Sequence, residues 1–198
     1  MVFLDYQNVY RRARDAFHDV LDPTYCGQVV PVRLAELIVG RGLGARSLEQ
    51  VRVYRGQPDA TRDPRSYGAN SRQCASWSSD ARTEVLVRTL RYPQNWPAER
   101  AQEKGIDVAL AIDFVMMAVR REYDVGVLMS TDTDLKPALE AVAALKKTNG
   151  YPQAELAAWS VPGAHSRRLA VPGVNLWCHW LTEADYRSVM DYRDYNIA

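Results

Sequence analysis

Cysteine is scarce in this chain. Its three thiols, Cys26, Cys74 and Cys178, are far apart and odd in number. They supply neither a disulfide framework nor a paired zinc-ligand spacing, and read as reduced thiols of a cytoplasmic protein. Histidine is equally sparse: Cys178-His179, with His18 and His165 elsewhere, lacks the spacing of a structural zinc site. An excess of charge of one sign is missing too. The formal net charge is +1, so no global basicity advertises nucleic acid, although fields also arise from local patches. No apolar run approaches the roughly 20 residues needed to span a bilayer, so no membrane partner is expected. No charged leader and long apolar stretch precede Val2-Phe3-Leu4-Asp5, so no secretory signal is expected. Internal repeats, low-complexity tracts and an interdomain linker are absent as well. What remains is an ordinary globular composition, 47% hydrophobic and 25% charged over 198 residues. That length is read as one domain, 1–198, able to bury a core without disulfide help.

The apolar pattern alternates between two periods. Val2-Phe3-Leu4 is too short for a helix and reads as a buried first strand ending at Asp5. Residues 32–39 have helical periodicity, stopped by Gly40 and Gly42. Residues 51–54 alternate as a second strand, followed by a loop rich in Gly, Pro and Asp over 56–70. A helix over 71–82 and a third strand over 83–90 come next. Pro93 and Pro97 break the chain before a helix over about 107–121, apolar almost all round and therefore expected to be buried. Residues 125–129 form a continuous apolar run, as in a parallel sheet covered on both faces. A helix over about 134–147 tolerates Pro137 in its first turn. Residues 155–160 and 174–180 are further strand candidates, and 182–192 a closing helix. Strands alternating with helices imply a parallel α/β sheet with right-handed crossovers.

Six acidic residues fall at the ends of these elements: Asp5, Asp107, Asp113, Asp124, Asp132 and Asp134. The strand ends of an α/β sheet build its ligand crevice, and carboxylates converging there repel unless a divalent cation neutralises them. Hard oxygen ligands suit magnesium or manganese rather than zinc or copper, so the pattern points to metal-dependent chemistry on a phosphate. Each acid also has a plainer reading. Asp5 and Asn8 favour turns and helix caps, Asp107 suits an N-cap, and Asp134 or Thr133 suits the cap of the following helix. Two carboxylates and three hydroxyls in Ser130-Thr131-Asp132-Thr133-Asp134 exceed what one cap needs. Asp113 lies in a stretch otherwise free of charge and is expected to pair with an arginine in a supporting role.

Between Val51 and Lys104, arginines are interleaved with Tyr54, Tyr67, Trp77, Tyr92 and Trp96. That mixture suits single-stranded nucleic acid; the plainer reading is a solvated surface partly neutralised by Asp59, Asp63, Asp80 and Glu84. Two other signals fail. Gly40-Arg41-Gly42-Leu43-Gly44 follows a helix where a dinucleotide fingerprint must follow a strand. Asp132-Thr133-Asp134 has the form of an aspartyl-phosphatase motif, but that motif belongs after the first strand, where this chain has Asp5-Tyr6-Gln7.

Three separated motifs nevertheless agree. Asp5-x-x-Asn8, then Lys104-Gly105-Ile106-Asp107 running into Leu110-Ala111-Ile112-Asp113, then Ser130-Thr131-Asp132-Thr133-Asp134-Leu135, resemble the NYN domain over about residues 1–160. This is a branch of the PIN-like nuclease superfamily. The resemblance implies an α/β, Rossmann-like PIN-type three-layer fold with a central, mostly parallel sheet flanked by helices. It also implies a Mg2+- or Mn2+-dependent ribonuclease in which Asp5, Asp107, Asp132 and Asp134 are the catalytic, metal-holding acids. Asn8, Ser130, Thr131 and Asp113 are the supporting polar groups, and Arg55, Arg65, Arg72 and Lys104 are expected to grip RNA. The family usually has glycine after the serine where this chain has Thr131, so a differently shaped loop is expected there. A silent RNA-binding module, a DNA nuclease or a phosphatase on the same site are the alternatives, and a homodimer is left open.

Overall fold

The computed structural model describes residues 1–161, 163 and 166–197. The first apolar run becomes β1 (Val2–Asp5) in the interior of a six-stranded sheet. Val2, Phe3 and Leu4 are wholly buried because both faces of β1 are covered. Alternation then divides them: Val2 and Leu4 enter one core, and Phe3 enters the other, where its ring meets Phe114 edge-on at 5.0 Å. After β1 the chain forms α1 (Tyr6–Phe17), α2 (Pro31–Gly40), β2 (Val51–Gln57), α3 (Pro64–Trp77) and β3 (Thr83–Thr89). It continues through α4 (Ile106–Val119), β4 (Val125–Met129), a 3-10 turn (Thr133–Leu135), α5 (Lys136–Asn149), β5 (Gln153–Trp159), β6 (Cys178–Leu181) and α6 (Glu183–Val189).

The strand order is β3-β2-β1-β4-β5-β6, and every neighbouring pair is parallel. This is the doubly wound arrangement, helix–sheet–helix, and the direction of winding reverses between β1 and β4. A crevice therefore opens at the C-terminal ends of those two strands, where Asp5 and Ser130 lie. No helix among the described residues is long and apolar enough to cross a membrane.

Several elements differ from their sequence expectation. Helix α1 had no expected counterpart, because only Tyr6, Val9 and Ala13 on it are buried and the rest is dominated by charge. The loop expected over 56–70 contains β2 as far as Gln57 and the start of α3 at Pro64. Asp63 caps that helix by accepting from the Ser66 amide at 3.1 Å, and proline in the first turn is preorganised for it. Helix α3 then ends at Trp77 rather than running to residue 82. β6 is confined to Cys178–Leu181, and Val174 makes only an isolated bridge to Val171.

The largest correction concerns α4, which is not buried all round. Ile106, Leu110, Phe114, Met117 and Ala118 face the core, but Val108, Ile112 and Val119 are 55%, 55% and 53% exposed, with Met116 at 40%. The helix lies in an outer layer, so only the sides toward the sheet and α5 are covered. Ile112→Gln is therefore expected to change the unfolding free energy by no more than about 0.5 kcal/mol. Leu110→Ala should cost about 2–5 kcal/mol. Urea midpoints of the two variants check this contrast, and equal losses would show that the outward face is covered.

Candidate active site

The crevice is assembled from the strand ends outward. Asp5 terminates β1 and also caps α1, its Oδ1 accepting from the Asn8 amide at 3.2 Å. Its other oxygen accepts from Ser130 Oγ at 2.8 Å, which joins β1 to the end of β4. Ser130 Oγ in turn accepts from the Asp132 amide at 3.0 Å. Asn8 Oδ1 receives both the amide and the hydroxyl of Thr131, at 3.1 and 3.2 Å, and Arg12 Nε donates to that same hydroxyl at 3.1 Å. Thr131 thus fastens the β4 loop to α1. Its backbone is not among those with positive φ, so a β-branched side chain is accommodated there without strain.

Burial pushes the Asp5 carboxyl up to about 6, against the two hydrogen bonds from Ser130 and Asn8 that favour its charge. The neighbouring Glu103 and Asp132 carboxylates push it the same way as burial. Glu103 was not among the residues singled out from the sequence. It accepts from the Gly56 amide at 2.6 Å, and a Cβ at Gly56 would lie 2.8 Å from Glu103 Oε1. A strand glycine is what lets this carboxylate approach the sheet. Burial raises Glu103 as well, Arg11 and Arg55 act in the opposite direction, and Asp107 adds to the rise. The acids therefore form an electrostatic chain, Asp132–Asp5–Glu103–Asp107. The only sequence signal for Glu103 was its place just before Lys104-Gly105-Ile106-Asp107.

The capping expectations change. Asp132, not Asp134 or Thr133, caps the turn after β4, its Oδ1 accepting from the Asp134 amide at 3.0 Å. Asp107 lies inside the first turn of α4, whose cap is Gly105 at φ 73° without a side-chain bond. Asp107 is thus left free of capping, in a position where the helix dipole favours negative charge. Asp134 is exposed, and its carboxylate has no hydrogen bond or ion pair among the described residues. Asp113 is paired with Arg52 at 3.0 Å and Tyr54 OH at 2.8 Å, the arginine partner its sequence context called for. Asp124 precedes β4 and so lies at the opposite end of the sheet from Asp5.

The four cations separate into two pairs. Arg55 lies 5.2 Å from the ring centres of both Tyr6 and Trp77 and donates to Gln73 at 2.6 Å. Arg72 spends its guanidinium on the Tyr195 carbonyl. Arg65 and Lys104 are exposed. Arg11 on α1 acts on Glu103, and Arg12 reaches the β4 loop through Thr131; neither was singled out from the sequence, where the basic run after Asn8 was their signal.

No three of the carboxylates Asp5, Glu103, Asp107, Asp132 and Asp134 bring oxygens within 4.8 Å of one another. The group among the described residues that does so is His18, Asp22 and Cys26. Both imidazole nitrogens there are already engaged, by Asp22 at 2.9 Å and Tyr186 OH at 2.8 Å, and the same hydroxyl accepts from the Gly27 amide. These bonds tie the end of α1 to α6. His165 lies outside the described residues.

A doubly wound parallel sheet with carboxylates gathered at its switch point defines a Rossmann-like α/β domain with an acidic crevice. The NYN domain family model matches residues 1–161, and the chain belongs to that family. No curated protein and no solved structure matches it. NYN domains are PIN-like, so membership points to a nuclease-type hydrolase acting on nucleic acid, of a kind that generally uses divalent metals.

Proposed function

We propose that this protein is a divalent-metal-dependent ribonuclease that hydrolyses phosphodiester bonds at the Asp5 crevice. The observation that carries the reading is the half-buried Asp5 carboxyl, raised to about 6 with Glu103 and Asp132 beside it. A purely architectural strand end gains nothing from a carboxyl whose charge is opposed first by burial and then by neighbouring acids, whereas a cation would favour that charge. The donor set fits: carboxylate oxygens are hard ligands, and no thiol or imidazole is among them, which favours Mg2+ or Mn2+. Asp5, Asp107 and Asp132, with Asp134 and Glu103, are the carboxylates that would hold the ion, which would have to draw their oxygens closer, since no three now lie within 4.8 Å of one another. When bound, it supplies an activated water and stabilises charge on the leaving oxygen.

The chain's own residues do the rest. Ser130 and Asn8 fix the two oxygens of Asp5, so the carboxylate faces the crevice in one orientation. Above pH 6 Asp5 is predominantly ionised and can act as a ligand. Arg11, Arg12, Arg65 and Lys104 supply positive charge for the phosphate backbone. His18 and His179, the histidines among the described residues, have their imidazoles committed to internal hydrogen bonds and take no part in the site.

RNA is the substrate that the family favours. Labelled single-stranded RNA, DNA and a small phosphomonoester, each with and without millimolar Mn2+, test the assignment. RNA cleavage that requires the ion is expected. Equal DNA cleavage would make the protein a general nuclease, release of phosphate from the monoester a phosphatase, and RNA binding without turnover a silent module. The same ion should raise the melting temperature of the wild type but not of Asp132→Asn, since only the native state of the former offers the site.

A further inference from the structure

A second feature adjoins the crevice. A cavity of 220 Å³ lies between α1 and the C-terminal ends of β4 and β5. One wall consists of Asn8, Ser130 and Thr131, the residues that mount Asp5. Its interior is apolar, built from Val9, Ala157, Ala158 and Trp159, and the Trp159 indole nitrogen is turned away to the Val9 carbonyl at 3.0 Å. Three charged groups also line it: Arg167 from the segment after β5, and two residues of α1, Arg12 and Asp15. Being i and i+3 on α1, the latter two sit on one face about 5–6 Å apart. Arg12 is aimed by its Nε bond to Thr131, and its terminal nitrogens have no partner among the described residues. Asp15 is exposed and makes no hydrogen bond or ion pair among the described residues.

We propose that this cavity takes one nucleobase of the substrate strand beside the cut, and that the base is guanine. The inference rests on the nuclease reading for its meaning, though not for its binding chemistry. The volume falls below the roughly 300–1,000 Å³ of pockets that hold drug-sized ligands. It has room for one flat base splayed from a single strand, whose faces the apolar walls would cover. Guanine alone among the four RNA bases places an edge of two adjacent donors, N1–H and N2–H, beside an edge of two adjacent acceptors, O6 and N7. A carboxylate next to a guanidinium is the complement of that pair, and arginine on O6 and N7 is the commonest specific contact to guanine. Because Thr131 links Arg12 to Asn8, and Asn8 to Asp5, a base held here would lie in register with the catalytic carboxylate.

Two measurements separate this inference from the nuclease reading. The first is calorimetric binding of GMP, AMP, CMP and UMP to the unmodified protein. GMP should bind on the order of tenfold more tightly than the others, a preference that one bidentate contact supports. Asp15→Asn should reduce that preference below threefold, and thermal melting will confirm that this surface variant is folded. The second is mapping of cleavage sites on a random-sequence single-stranded RNA, where guanine should recur at one fixed position relative to the cut and lose its prominence in Asp15→Asn. Cleavage without base preference, together with equal binding of the four nucleotides, would overturn the pocket and leave the nuclease intact. GMP-selective binding without cleavage of any RNA would sustain the pocket and overturn the nuclease. Tightest binding of another nucleotide would overturn the guanine assignment.

Discussion

Asp5→Asn is expected to stabilise the protein at neutral pH while reducing RNA cleavage by orders of magnitude. The two effects have one cause. Asp5 titrates near 6 in the fold against an ordinary 3.8, mainly because of burial. A carboxyl raised in this way favours folding below the unfolded value, and that contribution is lost as pH rises from about 4 through about 6. By pH 7 its ionisation costs about 3 kcal/mol at one unit per 1.36 kcal/mol. Asparagine still offers an oxygen to the Asn8 amide and carries no charge. In the absence of divalent ions the variant should melt several degrees above the wild type at pH 7.5, given about 2–4 °C per kcal/mol for a chain of this size. At pH 4 the two should converge. Added Mn2+ should reverse the order, because only the wild type gains by binding it. Cleavage should collapse in the variant, since residues that share an ion act as a unit. Melting curves at three pH values decide the matter: an unchanged pH slope in Asp5→Asn would remove Asp5 as the titrating group.

The second large effect lies away from the crevice. Glu155 on β5 is 1% exposed and is gripped by Arg46, at 2.8 and 3.0 Å, and by His179 at 2.8 Å. Burial pushes its carboxyl up, but the hydrogen bonds from His179 and Arg46 more than offset this and hold it at about 2. Glu155→Leu would leave a guanidinium and an imidazole facing an apolar side chain, a loss of about 3–5 kcal/mol. Melting should fall by roughly 6–20 °C at 2–4 °C per kcal/mol. The Mn2+ response should persist below the new midpoint, because no crevice residue is touched. A depressed carboxyl stabilises above its unfolded value of about 4.5 and loses that stabilisation as pH falls toward 2. Its pH dependence is thus opposite in sign to that of Asp5. A melting loss under 2 °C would mean that Arg46 and His179 find other partners at little cost.

Several features were legible in the residues alone. A three-residue apolar run ending in Asp5 is too short for a helix and reads as a buried strand, and an unbroken run over 125–129 reads as part of a sheet covered on both faces. Together with the intervening helices these fix the parallel α/β class, and the motifs around Asp5, Asp107 and Ser130 identify the family. Local chemistry suffices there, because strand burial and motif spacing are properties of short segments. Helix α1 escaped because a surface helix that buries only Tyr6, Val9 and Ala13 leaves little apolar signal. The outward face of α4 escaped because hydrophobicity registers what a helix could bury and not what covers it.

The tertiary structure decided which polar atoms meet. Asp132 became the cap because the turn after β4 directs the Asp134 amide to it. Arg55 and Arg72 went to internal partners because α3 and the C-terminal segment pack within their reach. Glu103 joined the acids through a glycine 47 positions earlier in sequence, Gly56, whose missing side chain opens the approach. The sequence by itself determined the strands, the family and the carboxylates at their ends. Only the packing of distant segments determined how those carboxylates are held and charged, since burial and hydrogen-bond partners depend on contacts that no local spacing encodes.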